Sequence, residues 1–129
     1  MGRVYTLNGY LLDTSILLRA WHRPALVPEH MRNILSSGQP YSVSMATFWE
    51  IAIKTSMGKL ETVDDPIEKA RETNCKLLQI DPSHIKAVGK LPYHHRDPFD
   101  RMLIAQAQVE RLVILTSDRQ FSSYDVELA

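Results

Sequence analysis

Asp13, Glu50, Asp100 and Asp118 are the residues of this chain best placed to do chemistry. Asp13 ends an apolar run, Tyr10-Leu11-Leu12, and Asp118 follows another, Leu112-Val113-Ile114-Leu115-Thr116. Glu50 lies in the helical pattern Ala46-Thr47-Phe48-Trp49-Glu50-Ile51-Ala52-Ile53. Asp100 opens another, Asp97-Pro98-Phe99-Asp100-Arg101-Met102-Leu103-Ile104-Ala105-Gln106-Ala107. A carboxylate in an apolar flank is costly unless it is paired, hydrogen-bonded or bound to a cation. Convergence of these acids would make a divalent metal the natural reason for them.

Each acid also has a structural reading. Asp97 precedes a proline at the first helical position, so it reads mainly as an N-cap. Asp100 falls where a capping box would place an acid. Asp13 precedes Thr14, Ser15 and a helix, and can cap it. Asp118 can make a turn. Glu50 is the hardest to explain this way, because it sits beside the apolar stripe of its helix. His94 and His95 could ligate a metal or touch a phosphate, but their spacing matches no helical metal pair and they read as a solvated loop. Lys54, Arg96, Arg101 and Arg119 flank the acids, either as surface cations or as holders of a polyanion. Trp21, Trp49, Phe99 and Phe121 read as core or interface rather than as base-stacking groups.

The elements that must position these groups alternate. Strands are expected at Tyr10–Leu12, Tyr41–Ser44, 75–80 and 112–116, with Val126 and Leu128 in a last edge strand. Helices are expected at 15–21, 28–35, 47–57, from Asp65-Pro66 to about 74, from Asp81-Pro82 toward Val88, and at 97–110. The third of these carries Phe48, Ile51, Ala52 and Thr55 on one stripe, with Gly58 at its end. The stretch 91–96 is a polar loop. This alternation gives an α/β class with a mainly parallel sheet. Sites in such sheets gather beyond the carboxyl ends of the strands, where Asp13 and Asp118 fall.

Composition narrows the classes. The 129 residues suit a single domain with a real core. Fifteen basic and 15 acidic residues balance, which excludes a protein that simply coats nucleic acid but not an enzyme with a local basic rim. Cys75 is the only cysteine, so neither an internal disulfide nor a cysteine-based zinc site is possible, and a reducing cytoplasm is expected. No apolar stretch approaches the roughly 18 residues of a membrane span. Residues 1–9 lack the apolar core of a signal peptide and are read as an N-terminal extension to a domain over 10–129.

The motifs quoted above, with Phe48-Trp49-Glu50-Ile51 and Leu115-Thr116-Ser117-Asp118, resemble the PIN-domain family, in particular the VapC-type toxins of type II toxin–antitoxin pairs. The resemblance runs over about 9–124, and the 97–107 block is its most diagnostic part. It implies a three-layer sandwich with a central parallel sheet between helices. It also implies a ribonuclease dependent on Mg2+ or Mn2+, with an acidic cluster matched here by Asp13, Glu50, Asp100 and Asp118. Members usually form homodimers and are held inactive by a small cognate antitoxin. Many members carry Asn in place of Asp118 and Asp three residues later, where this chain has Phe121. The extension over 1–9 is a second departure, read as an extra strand, an interface arm or a start-codon artefact.

Hydrolysis of a phosphodiester needs an attacking water and stabilisation of charge on the phosphate, which carboxylate-held hard cations supply. Asp13 and Asp100 are expected to hold the principal metal and Asp118 to assist. Glu50 would orient or deprotonate the water, or help hold a second ion. Thr14 or Thr116 would hydrogen-bond a carboxylate, and Asp97, Arg96 and Arg101 would stand at the rim, where single-stranded or looped RNA would be read. Two other readings compete. A haloacid-dehalogenase-type phosphatase would use Asp13 as nucleophile but wants a second acid where Ser15 stands. A catalytically silent PIN-fold protein-binding module would need no acid cluster.

Overall fold

The computed structural model describes residues 7–129. Four short strands, β1 (Tyr10–Leu12), β2 (Tyr41–Ser44), β3 (Lys76–Leu78) and β4 (Val113–Leu115), form one sheet in the order β3-β2-β1-β4. Every pairing within it is parallel, with Leu11 opposite Ser42 on one side and Ile114 on the other. Among the described residues six α-helices flank the sheet: α1 (Thr14–His22), α2 (Glu29–Ser36), α3 (Met45–Ser56), α4 (Pro66–Glu72), α5 (Pro82–Gly89) and α6 (Pro98–Glu110). This is the three-layer α/β arrangement that the resemblance implies.

Strand alternation builds the layers. Successive side chains of a strand point to opposite faces. Leu11 and Ile114 therefore enter one core, with Leu91, Leu103, Ile104 and Phe121. Their neighbours Leu12 and Leu115 enter the other, with Ile16, Met31, Val43 and Ile51. Burial of each large aliphatic side chain contributes about 1.5–3 kcal/mol, so two filled faces fix the register of strands only three or four residues long.

Local chemistry sets the helix starts. Asp13, Ser44, Asp65, Asp81 and Asp97 each accept a backbone N–H of the helix that follows. Proline stands in the first turn of α4, α5 and α6, where its missing donor is harmless. Gly9 precedes β1 at φ 120°, and a Cβ there would lie 2.7 Å from the Pro40 carbonyl oxygen. This close approach lets the Tyr10 N–H donate to that oxygen and the Val113 N–H to the Gly9 carbonyl.

Three expectations are corrected. The stripe of α3 is centred a residue earlier than periodicity suggested, with Ala46, Thr47, Phe48, Glu50 and Ile51 buried and Ala52 exposed. The last edge strand reduces to one bridge between Ile114 and Leu128. Trp49, expected in the core or at an interface, is 60% exposed and meets Phe99 edge-on, so only the core alternative is removed. An extra strand ahead of residue 7 would fall outside the described residues.

Candidate active site

Chain order along the sheet reverses between β1 and β4, and the crevice beyond their carboxyl ends is where open parallel sheets place ligands. Asp13 leaves β1 there, with its N–H bonded to the Leu115 carbonyl at the end of β4. Asp13, Glu50, Asp97, Asp100 and Asp118 all line one cleft of about 410 Å3, together with Arg19 and Lys54. The folded chain thus brings together the acids singled out in the sequence.

Asp13 is 4% exposed and fully engaged. Its Oδ1 accepts the Ile16 N–H at 2.7 Å, and its Oδ2 accepts the Thr116 hydroxyl at 2.5 Å. Burial nevertheless dominates and pushes its carboxyl up, against the pull of those bonds. Thr116 also accepts the Asp118 N–H at 3.0 Å, so one hydroxyl ties the acid after β1 to the acid after β4. Asp118 in turn accepts the Gln120 N–H and starts a 3-10 turn, Arg119–Ser123. Cap and cleft roles coincide at both positions.

Glu50 projects from the buried side of α3 at 5% exposure. Lys54, one turn on, donates to its Oε2 at 2.7 Å. Its Oε1 is buried with no hydrogen-bond partner among the described residues. A buried carboxylate oxygen left unbonded costs about 1–3 kcal/mol or more. The Lys54 ammonium is pushed up chiefly by the Glu50 bond, with Asp97 and Asp100 adding to it.

Asp100 does not complete a capping box. Asp97 alone caps α6, its Oδ1 accepting the Phe99 and Asp100 N–H groups at 2.9 Å. The Asp100 carboxylate turns instead to His95, whose Nε2 lies 2.8 Å from Oδ2. Its carboxyl is pushed up to about 6: burial is the largest cause, the His95 bond opposes it, and the charges of Asp97 and Glu50 reinforce it. A His95 ring nitrogen and carboxylate oxygens of Asp100 and Asp118 lie within 4.8 Å of one another.

Three readings of single residues change. His95 is not solvated loop but a half-buried partner of Asp100; a signal for this, its place five residues before that acid, is too general to find it from sequence. Thr14 lines the cleft, but its hydroxyl donates to Thr47 Oγ1 rather than to a carboxylate. Arg101 is not at the rim. It is 6% exposed, and both terminal nitrogens are committed, to the carbonyls of Val88, Leu91 and Pro92 and to the Tyr124 hydroxyl, so it is buried away from a polyanion. Arg96 is exposed, and its N–H donates to His95 Nδ1.

The donor set fits a hard divalent cation. It consists of carboxylate oxygens in a partly dry cleft, two of them on carboxyls pushed up by burial and one, Glu50 Oε1, without a partner. Such a cluster is strained without a cation and relieved by one, and oxygen ligands suit Mg2+ or Mn2+.

Residues 10–127 match the PIN domain, and the chain belongs to that family, whose members are in general metal-dependent nucleases. No curated protein matches it. Among solved structures it is similar to VapBC2 from Rickettsia felis bound to a DNA fragment from its promoter, with TM-score 0.68 and 13% identity over 94% of this chain and 97% of that one. A toxin–antitoxin complex from Klebsiella pneumoniae gives 0.66 and 18%, over 93% and 95%. DNA-bound VapBC from Salmonella typhimurium gives 0.65 and 19%, over 96% and 98%. At these identities the likeness is one of fold. No helix among the described residues is long and apolar enough to cross a membrane.

Proposed function

We propose that this protein is a ribonuclease of the VapC type, which hydrolyses RNA phosphodiester bonds with Mg2+ or Mn2+ and is restrained by a cognate antitoxin. The observation that carries this reading is the cleft itself: Asp13, Glu50, Asp100 and Asp118 lining one crevice at the sheet's switch point, with Glu50 Oε1 unbonded. Similar solved folds described as toxin–antitoxin complexes support an antitoxin partner and, with family habit, a homodimer. A single-stranded or looped RNA suits an open cleft, because its bases can be splayed.

Asp13 and Asp100 would hold the principal ion, with Asp118 beside them. When bound, the ion supplies charge stabilisation to the phosphate and activates water at neutral pH. The chain's own residues do the rest. Thr116 fixes the Asp13 carboxylate, so its orientation is set before substrate arrives. Lys54 holds Glu50 by Oε2, so the carboxylate would be positioned to orient or deprotonate the attacking water. Arg19 and Lys54 supply the only cations among the described residues lining the cleft.

The test is RNA cleavage by purified chain, freed of any partner, in Mg2+, Mn2+ or EDTA, beside Asp100→Asn. Cleavage that needs the metal and vanishes in the variant is expected. Cleavage indifferent to EDTA would sink the mechanism, and metal binding without cleavage on varied RNAs would turn the reading toward a binding module.

A further inference from the structure

We infer that His95 is a positioning residue, which orients Asp100 as a fixed Nε2–H donor and keeps ring nitrogen out of the metal's donor set. The inference rests on the metal-site reading above and deepens it.

The tautomer is legible in the hydrogen bonds. The Arg96 N–H donates to His95 Nδ1 at 3.1 Å, so Nδ1 must present its lone pair. A neutral ring then carries its proton on Nε2, the atom 2.8 Å from Asp100 Oδ2. That bond therefore runs from Nε2–H to the carboxylate. Ligation of a metal by Nε2 would need the proton moved to Nδ1, where it would oppose the Arg96 N–H. Proximity to Asp100 and Asp118 makes His95 look like a third ligand; the backbone contact argues against it.

The ring is held from several sides. The His95 N–H donates to the Tyr124 hydroxyl at 2.8 Å, and Tyr124 is buried. Phe121, fully buried, lies against the imidazole with ring centroids 6.4 Å apart. Asp100 is the only member of the acid set whose carboxylate is held by a histidine among the described residues, and the bond occupies Oδ2. The other oxygen is left to a cation. A carboxylate fixed this way binds metal more tightly, and such outer partners are typically worth about 10–100-fold in affinity. Because the imidazole donates rather than ligates, the donors remain oxygens, which favours Mg2+ and Mn2+ over Zn2+.

The test measures Mn2+ binding by titration calorimetry for wild type, His95→Ala and His95→Gln. Glutamine can place an amide N–H near the Nε2 position but has no imidazole nitrogen. His95→Ala is expected to bind Mn2+ at least about tenfold more weakly, and His95→Gln to restore affinity to within about threefold of wild type. Equal affinity in wild type and His95→Ala would overturn the inference, as would His95→Gln falling as far as His95→Ala. Absence of Mn2+ binding by folded wild type would instead remove the metal-site reading itself, and the inference with it. Should His95→Ala not fold, long-range 1H–15N spectra of wild type with and without Mg2+ or Zn2+ decide the matter. Nδ1 unprotonated and Nε2 protonated throughout is expected, and a ring that loses its Nε2 proton to the metal would overturn the assignment.

Discussion

Asp100 carries the conflict between burial and charge. Its carboxyl rises from the usual 3.8 to about 6, driven first by burial. The folded protein without metal thus keeps a proton that the unfolded chain has already released. Stability from this group is full below about pH 4 and is lost as pH rises through about 6. The rise corresponds to on the order of 2 kcal/mol once allowance is made for the fifth of the side chain left in water. Asparagine keeps the shape and can still accept from His95. In EDTA, Asp100→Asn is therefore expected to match wild type near pH 4 and to melt several degrees higher at neutral pH. Thermal melts of both proteins across that range check this, and an identical pH dependence would reject it. Added Mg2+ should close the gap by stabilising wild type alone.

Thr116 allows a second prediction at the same scale. Its hydroxyl bond lowers the Asp13 carboxyl against the larger effect of burial. Thr116→Val keeps the volume and removes that donor, so Asp13 should hold its proton to higher pH. Mg2+ affinity is expected to fall about tenfold, with the deficit widening as the solution is made more acid. Calorimetric titrations at two pH values measure this, and a deficit that stays constant would show that Thr116 acts on shape alone.

Between elements, Arg101 decides how α6 seats against the end of α5. Its guanidinium reaches the carbonyls of Val88, Leu91 and Pro92 and stacks 4.1 Å from the Tyr93 ring centre. Removing it strands buried acceptors, so Arg101→Met should destabilise the fold by roughly 2–4 kcal/mol. Lysine cannot reproduce the planar fork and should recover only part of this. Denaturant melts give the value, and an unchanged midpoint would return Arg101 to the surface role its sequence context suggested. That context shows what can be read locally. Asp97-Pro98 announces a helix start by residue type alone, and Tyr41–Ser44 announces a strand by its run between turns. Asp13 and Asp118 were placed by knowing only that strands precede them. The roles of His95 and Arg101 depend on partners, Tyr124 and the carbonyls of Val88, Leu91 and Pro92, that spacing along the chain does not reveal. Glu50 was noticed for the opposite reason: an acid beside an apolar stripe conflicts with its own helix, and such conflicts mark sites.

For the whole molecule, the charge balance sets how RNA would have to be held on the proposed reading. Fifteen basic and 15 acidic residues give no long-range attraction for a polyanion, and the cleft itself concentrates carboxylates. Phosphate brought there without a cation meets Asp13, Asp100 and Asp118, with Lys54 already engaged by Glu50. Repulsion between unit charges about 4 Å apart is on the order of 4 kcal/mol near a protein surface, enough to outweigh one or two exposed lysine contacts. Binding should therefore require the metal as well as cleavage. With an uncleavable single-stranded RNA analogue, anisotropy titrations are expected to show at least about tenfold tighter binding in Mg2+ than in EDTA, roughly 1.4 kcal/mol. The dependence on monovalent salt should be shallow, because few phosphates are neutralised by side chains. Tight binding in EDTA with a steep salt slope would mean that RNA is held by a basic surface away from the cleft. The acids would then act on a substrate captured elsewhere on the molecule.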